Sequence, residues 1–281
     1  MLLEREDIDP NQADTQYGRT PLFWAAANGY EEAVKLLFER EDIDPNQADA
    51  QYGRTPLSRA AEYGHEAVVK LLLEREVVNP NQTDTQYGKT PLSWAAQNGH
   101  EKAVKLLLER EDIDPNQADT RYGLTPLFWA AANGHEEAVK MLLEREEVNP
   151  NQADTKSGKT PLFWAAENGN ERVVKMLLER KDIRTTTPDN KGQTPLSLAL
   201  SQGNNGIVNT IADRGGMTPP PPASGTGDDC RTHPSTTQSI LSFATDRLFI
   251  ISSLICLFAF LLYLLSSSSP DIFSFRKYFP G

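Results

Sequence analysis

Residues 17–49 read YGRTPLFWAAANGYEEAVKLLFEREDIDPNQAD, and this stretch returns along the 281-residue chain with little change. Its tripeptide Thr-Pro-Leu begins at Thr20, Thr55, Thr90, Thr125, Thr160 and Thr194, at spacings of 35, 35, 35, 35 and 34. Periods this alike do not arise by chance, and they point to stacked units rather than one closed core.

Each unit reads as two short antiparallel helices and an extended loop. Thr20 suits an N-cap, and Pro21 at the first helical position needs no N–H partner. Leu22 to Asn28 forms the first helix, and Gly29 can take the left-handed conformation that ends it. Glu31 and Glu32 open the second helix, where negative charge complements the dipole. Val34, Leu37 and Phe38 give it an apolar face at helical spacing. The helix is expected to end in Glu39-Arg40-Glu41, because Asp44-Pro45-Asn46 cannot continue it. Residues 46–54 (NQADAQYGR), with Gly53, suit a β-turn finger. A helix pair this small cannot bury its own apolar face, so copies must stack to share an interior.

At these residues the chain resembles the ankyrin repeat family, through the pattern G-x-T-P-L-x-x-A-A-x-x-G-H-x-x-V-V-K-L-L-L over residues 1–214. The resemblance implies an all-α solenoid of helix-turn-helix units with β-turn fingers. The units start near 18, 53, 88, 123, 158 and 192. Several features depart from the family, and its Gly after the second helix is missing. Where it has His after Thr-Pro-Leu, this chain has Phe23, Ser58, Ser93, Phe128, Phe163 and Ser197. The connecting loop is also longer. The next position is mostly Trp (Trp24, Trp94, Trp129, Trp164), which reads as core between stacked helices. The near-identical units are similar to the arrays of fungal ankyrin-repeat proteins, including the C-terminal arrays of NACHT-type receptors, although no P-loop is present.

The sixth unit is degenerate, with Asn209, Thr210 and Ala212 at positions that are Lys35, Leu36 and Phe38 in the first complete period. It reads as a polar-faced terminal cap. Met1 aligns with Leu36, inside a second helix. Two readings follow: the partial unit frays harmlessly, or the natural product is longer and this is the end of a larger receptor.

Beyond the repeats the material changes. Residues 1–214 carry the whole formal charge of −11, and residues 215–281 balance at zero. Residues 215–246 are rich in Gly, Pro, Ser and Thr and read as a linker. Within 247–265, the run LFIISSLICLFAFLLYLL from Leu248 to Leu265 holds no charge. A helix of that length reaches roughly 27 Å, enough for a thin bilayer. A 16-residue tail, 266–281, follows. This reads as a single-pass tail anchor, with the repeats facing the cytosol.

No catalytic constellation is visible, so an enzyme is not expected, nor is a cofactor or metal. The acidic balance argues against nucleic acid as partner. Cys230 and Cys256 lie outside the repeats, which excludes a disulfide framework there. His65, His100 and His135 recur at one place in successive units and read as structural. The acidic runs EREDID read as a solvated edge, with weak divalent-ion binding as the alternative. The triplet Asn81-Gln82-Thr83 reads as accidental rather than as a glycosylation site.

The family resemblance implies partner docking on a concave face made of fingers and first helices. Mapped onto this sequence, that face has three columns. The finger column is Tyr17, Tyr52, Tyr87 and Tyr122, then Ser157. Beside it stand Arg19, Arg54, Lys89, Leu124 and Lys159. Across the first helices run Asn28, Tyr63, Asn98, Asn133 and Asn168. Tyr and Arg are enriched in binding hot spots. A Tyr row beside a basic row would suit an acidic or polar protein segment; alternatively, the Tyr rings pack on the next finger and the basic residues offset neighbouring acids. The expected function is therefore a protein-binding adaptor or scaffold held at a membrane.

Overall fold

The computed structural model describes residues 9–215. The linker from 216 onward, the apolar span 248–265 and the tail lie outside the described residues. Among those described there are twelve helices, and none is long and apolar enough to cross a membrane.

The helices come in pairs. First helices are α1 (Pro21–Ala27), α3 (Pro56–Tyr63), α5 (Pro91–Asn98), α7 (Pro126–Asn133), α9 (Pro161–Glu167) and α11 (Pro195–Ser201). Second helices are α2 (Glu31–Leu37), α4 (Glu66–Leu73), α6 (Glu101–Leu108), α8 (Glu136–Leu143), α10 (Glu171–Glu179) and α12 (Asn205–Gly215). First helices pack on first helices and second on second, giving two rows with the interior between them. Leu22, Leu57, Leu92, Leu127 and Leu162 of the Thr-Pro-Leu tripeptides are at most 1% exposed. So are Leu72, Leu107, Leu142 and Leu177 of the second helices. Phe23, Phe128 and Phe163 fill the same interior, where the family's His would stand.

Every first helix starts the same way. The threonine hydroxyl accepts the N–H three residues on, as from Phe23 to Thr20 at 3.1 Å and from Ser93 to Thr90 at 3.1 Å. Such a cap is worth about 1 kcal/mol. The glycine that follows has two reasons to be glycine. Gly29 sits at φ +72°, and a Cβ there would lie 2.6 Å from the His65 ring of the next unit.

The second helix α2 stops at Leu37, short of the expected Glu39-Arg40-Glu41 end. Tight turns take over, with Glu39 N–H donating to Leu36 O and Arg40 N–H to Leu37 O. The carbonyls this exposes are claimed by the next unit. Arg75 donates to Phe38 O at 2.6 Å, Arg110 to Leu73 O at 2.9 Å, and Arg145 to Leu108 O at 2.9 Å. The EREDID run is thus more than a solvated edge: its arginine reaches back across the junction.

An asparagine bridge completes that edge. Asn81 donates to Asp112 O at 2.6 Å and accepts Asp114 N–H at 2.9 Å. Asn11, Asn46, Asn116 and Asn151 make the same pair of bonds to the following loop. Occupied in this way, the Asn81 amide has a structural task. The histidines form a third seam: Nε2 of His65, His100 and His135 lies 2.9–3.1 Å from a first-helix carbonyl of the preceding unit.

Candidate functional site

The finger of each unit is built on an aspartate. Asp49 N–H donates to Arg54 O, and the Asp49 carboxylate accepts the N–H groups of Tyr52 and Arg54. This Asx-type turn places Gly53 in the left-handed region and brings Tyr52 and Arg54 back over α3. Successive fingers are joined by one backbone bond each. Ala50 N–H donates to Tyr17 O, Thr85 to Tyr52 O, Thr120 to Tyr87 O and Thr155 to Tyr122 O, at 2.8–3.0 Å. The carbonyl of Ser157, which takes the tyrosine place in the fifth finger, accepts Asn190 N–H.

The three predicted columns fare differently. Tyr17, Tyr52, Tyr87 and Tyr122 are half-buried and in register, one per finger. The basic column is not a surface. Arg19, Arg54 and Lys89 are 6%, 7% and 4% exposed, and Lys159 is half-buried. Each cation lies under aromatic rings. Arg19 is 4.4 Å from the Tyr17 ring centre and 4.8 Å from that of Trp24. Arg54 is 4.3 Å from Trp94; Lys89 is 4.4 Å from Trp94 and 3.5 Å from Trp129. Each also meets polar or acidic neighbours. Arg19 is 3.5 Å from Asp49 of the next finger, Arg54 is 2.8 Å from Glu62, and Lys159 is 2.6 Å from Glu167. Lys89 donates to Gln97. Leu124 takes this place in the fourth unit and is buried. Burial therefore leaves Arg19, Arg54 and Lys89 little exposed surface, because their heads are enclosed by ring faces and by polar or acidic neighbours.

The tryptophans complete this layer. Trp94 is buried, whereas Trp24, Trp129 and Trp164 are half-buried, so the column is only partly interior. Trp24, Trp94 and Trp164 donate Nε1–H to Asp14, Asp84 and Asp154 of their own fingers at 3.2, 2.9 and 3.3 Å. Finger, cation and first helix are thereby tied into one layer. Nothing in the structure explains why Trp129 and Asp119 do not repeat the bond. Burial pushes the Lys89 ammonium down to about 8, with Asp119 and Asp84 opposing that shift. At Asp154 burial pulls upward, but hydrogen bonds from Ser157, Trp164 and Lys159 outweigh it and hold the carboxyl low.

The helix column is also partly occupied. Asn28 and Asn133 donate to Trp24 O and Trp129 O of their own helices, at 2.8 and 2.9 Å. Asn98 and Asn168 donate to Glu62 O and Ala132 O of the preceding unit, at 3.0 and 2.8 Å. Tyr63, in the same column, is 43% exposed. Among the described residues, no group of three or more His, Cys, Asp or Glu is placed to hold a metal ion.

The family model for ankyrin repeats matches three times, over residues 1–84, 76–154 and 147–219. No curated protein matches the chain. Among solved structures, the ankyrin repeat protein EF0377 superposes with a TM-score of 0.63 at 25% identity, over 68% of this chain and 96% of its own. An ankyrin repeat domain from Acinetobacter baumannii gives 0.63 at 27% identity, over 69% and 97%. The ankyrin repeat domain of Bcl-3, a member of the IκB family, gives 0.63 at 27% identity, over 70% and 87%. With its repeated unit, its paired helices and these matches across more than half its length, the chain belongs to the ankyrin repeat family.

Proposed function

We propose that this chain is a non-enzymatic adaptor or scaffold. Its finger and first-helix face docks a protein partner, and residues 248–265 hold it in a membrane with the repeats on the cytosolic side. The observation that carries the docking half is the tyrosine row: four half-buried rings, one per finger, spaced by the unit repeat. Rigid amphipathic rings of this kind give contact area at low entropic cost. The uncharged run from Leu248 to Leu265 supports the anchoring half. Near-identical units support placing the chain beside fungal ankyrin-repeat proteins.

Confinement to a membrane raises the partner's effective concentration there, so tethering itself is the mechanism. Photo-crosslinking side chains installed at Tyr52 and Tyr122 should capture protein, while the same group at Glu76 and Glu111 on the opposite loops should not. Capture from the loops alone would overturn the docking face. Carbonate extraction with protease protection tests the anchor: the chain should stay with membranes, and its repeats should be digested from the cytosolic side.

A further inference from the structure

The finger tips are not alike. Two positions after its aspartate, each finger carries an exposed side chain: Gln16, Gln51, Gln86, Arg121, Lys156 and Lys191 in turn. The first three fingers present amides and the last three present cations. Gln16 and Gln51 donate to the hydroxyls of Tyr17 and Tyr52, at 2.8 and 2.9 Å. The cations are arranged differently. Arg121 lies 5.1 Å from the Tyr122 ring centre and 5.5 Å from that of Tyr87, and Lys156 is 5.7 Å from Tyr122. None of Arg121, Lys156 and Lys191 is paired with an acid among the described residues. The aspartates of their own fingers, Asp119, Asp154 and Asp189, are 4–6% exposed, and each accepts N–H groups of its own finger.

We propose that the tips of the fourth, fifth and sixth fingers bind an extended acidic segment of the protein partner, one carboxylate per finger. This rests on the protein-binding reading above and names the chemistry of the partner. Charge complementarity carries it: a row of exposed cations with no acidic partner among the described residues, on a chain with a net charge of −11. Packed helices sit about 8–10 Å apart, so tip cations recur at about that interval. An extended chain advances about 3.3 Å per residue, which matches one carboxylate in about three residues. Three cations are too few for the counterion release that drives nucleic-acid binding, and this favours a peptide.

The test uses the full chain in non-ionic detergent and a fluorescent peptide of about a dozen residues with Glu at about every third position. Fluorescence anisotropy should show binding that weakens with added salt. The triple variant Arg121→Gln, Lys156→Gln, Lys191→Gln should bind about tenfold more weakly. It gives fingers four to six the residue that fingers one to three already carry, and circular dichroism should confirm an unchanged helix content. The converse variant Gln16→Lys, Gln51→Lys, Gln86→Lys should bind the peptide more tightly than wild type. Absence of peptide binding, equal affinity of wild type and the triple Gln variant, or equal affinity for a peptide with Gln in place of Glu would each overturn the proposal. So would tighter binding of single-stranded DNA or phosphatidylserine vesicles, or a dimer seen by light scattering in wild type and lost in the triple variant. Protein crosslinks from Tyr52 and Tyr122 that persist alongside such a result would leave the docking face standing and remove only the acidic segment.

Discussion

The two edges of the stack are built on different principles. On the loop edge, each junction is closed by side chains that finish a neighbour's backbone: an asparagine bridging a carbonyl and an N–H, and an arginine reaching back to the end of the preceding second helix. On the finger edge, one backbone hydrogen bond joins each finger to the next. The finger side chains turn inward as a cation–aromatic layer or outward as exposed tips. An edge whose polar groups are spent on its own neighbours has little left for a partner. The finger edge joins its units by one backbone bond each and keeps its outermost side chains exposed, with glutamines on tyrosine hydroxyls and Arg121 and Lys156 beside tyrosine rings.

That contrast can be broken. Asn81→Ala removes two bridging bonds and should cost on the order of 2 kcal/mol in a urea melt; a cost near zero would mean the loop edge does not hold the stack. Beneath the fingers, Lys89 gives a pH signature. Its folded value of about 8 lies below the ordinary 10.5, so between these values the unfolded chain holds more protons and stability rises with pH. Wild type should gain on the order of 2 kcal/mol through that window relative to Lys89→Met, in which the rise is absent. Parallel pH profiles of the two proteins would mean that the enclosed ammonium carries no such penalty.

Smaller effects sharpen the same comparison. Burial holds His65 below its ordinary 6.5, so its contribution is complete above that pH and is lost as pH falls through it. His65→Asn should keep the inter-unit bond, because Asn170 makes it at the equivalent place with Ala132 O. Neutral stability should then change by less than about 0.5 kcal/mol, and the acid-side loss should diminish. Finally, the triple Gln variant at the tips should leave the melt within about 0.5 kcal/mol of wild type, since exposed cations contribute little to folding. A larger drop would make the tips part of the scaffold.

The helix pairs were legible because they rest on local rules: threonine caps, proline at the first position, glycine at the end and leucines at helical spacing. Val34 and Leu37 could be placed inside from helical spacing alone. What escaped was everything made between units. Asn46 reads as a residue that follows a helix break, yet its amide spans to the next loop, a contact that exists only once stacking sets the distance. Arg110 reads as part of a charged run, yet it holds the end of α4. Arg19, Arg54 and Lys89 read as a surface row because the family resemblance maps them beside the finger tyrosines on the concave face. Folding of the finger over the first helix buries them; the tryptophan five residues on from Arg19 and from Lys89 was the signal of that cover, and Arg54 finds its ring in the next unit, at Trp94. The tip residues were visible in the sequence all along, but they stand out only after the deeper cations are seen to be spoken for.

The finger-to-finger backbone bond and the asparagine bridge join equivalent atoms at each of the five junctions between described units. Excising or duplicating 35 consecutive codons would therefore re-form both of these seams at the splice. The length of this protein is an adjustable quantity: its reach along a ligand can grow or shrink by whole rungs while the chemistry of each rung stays the same.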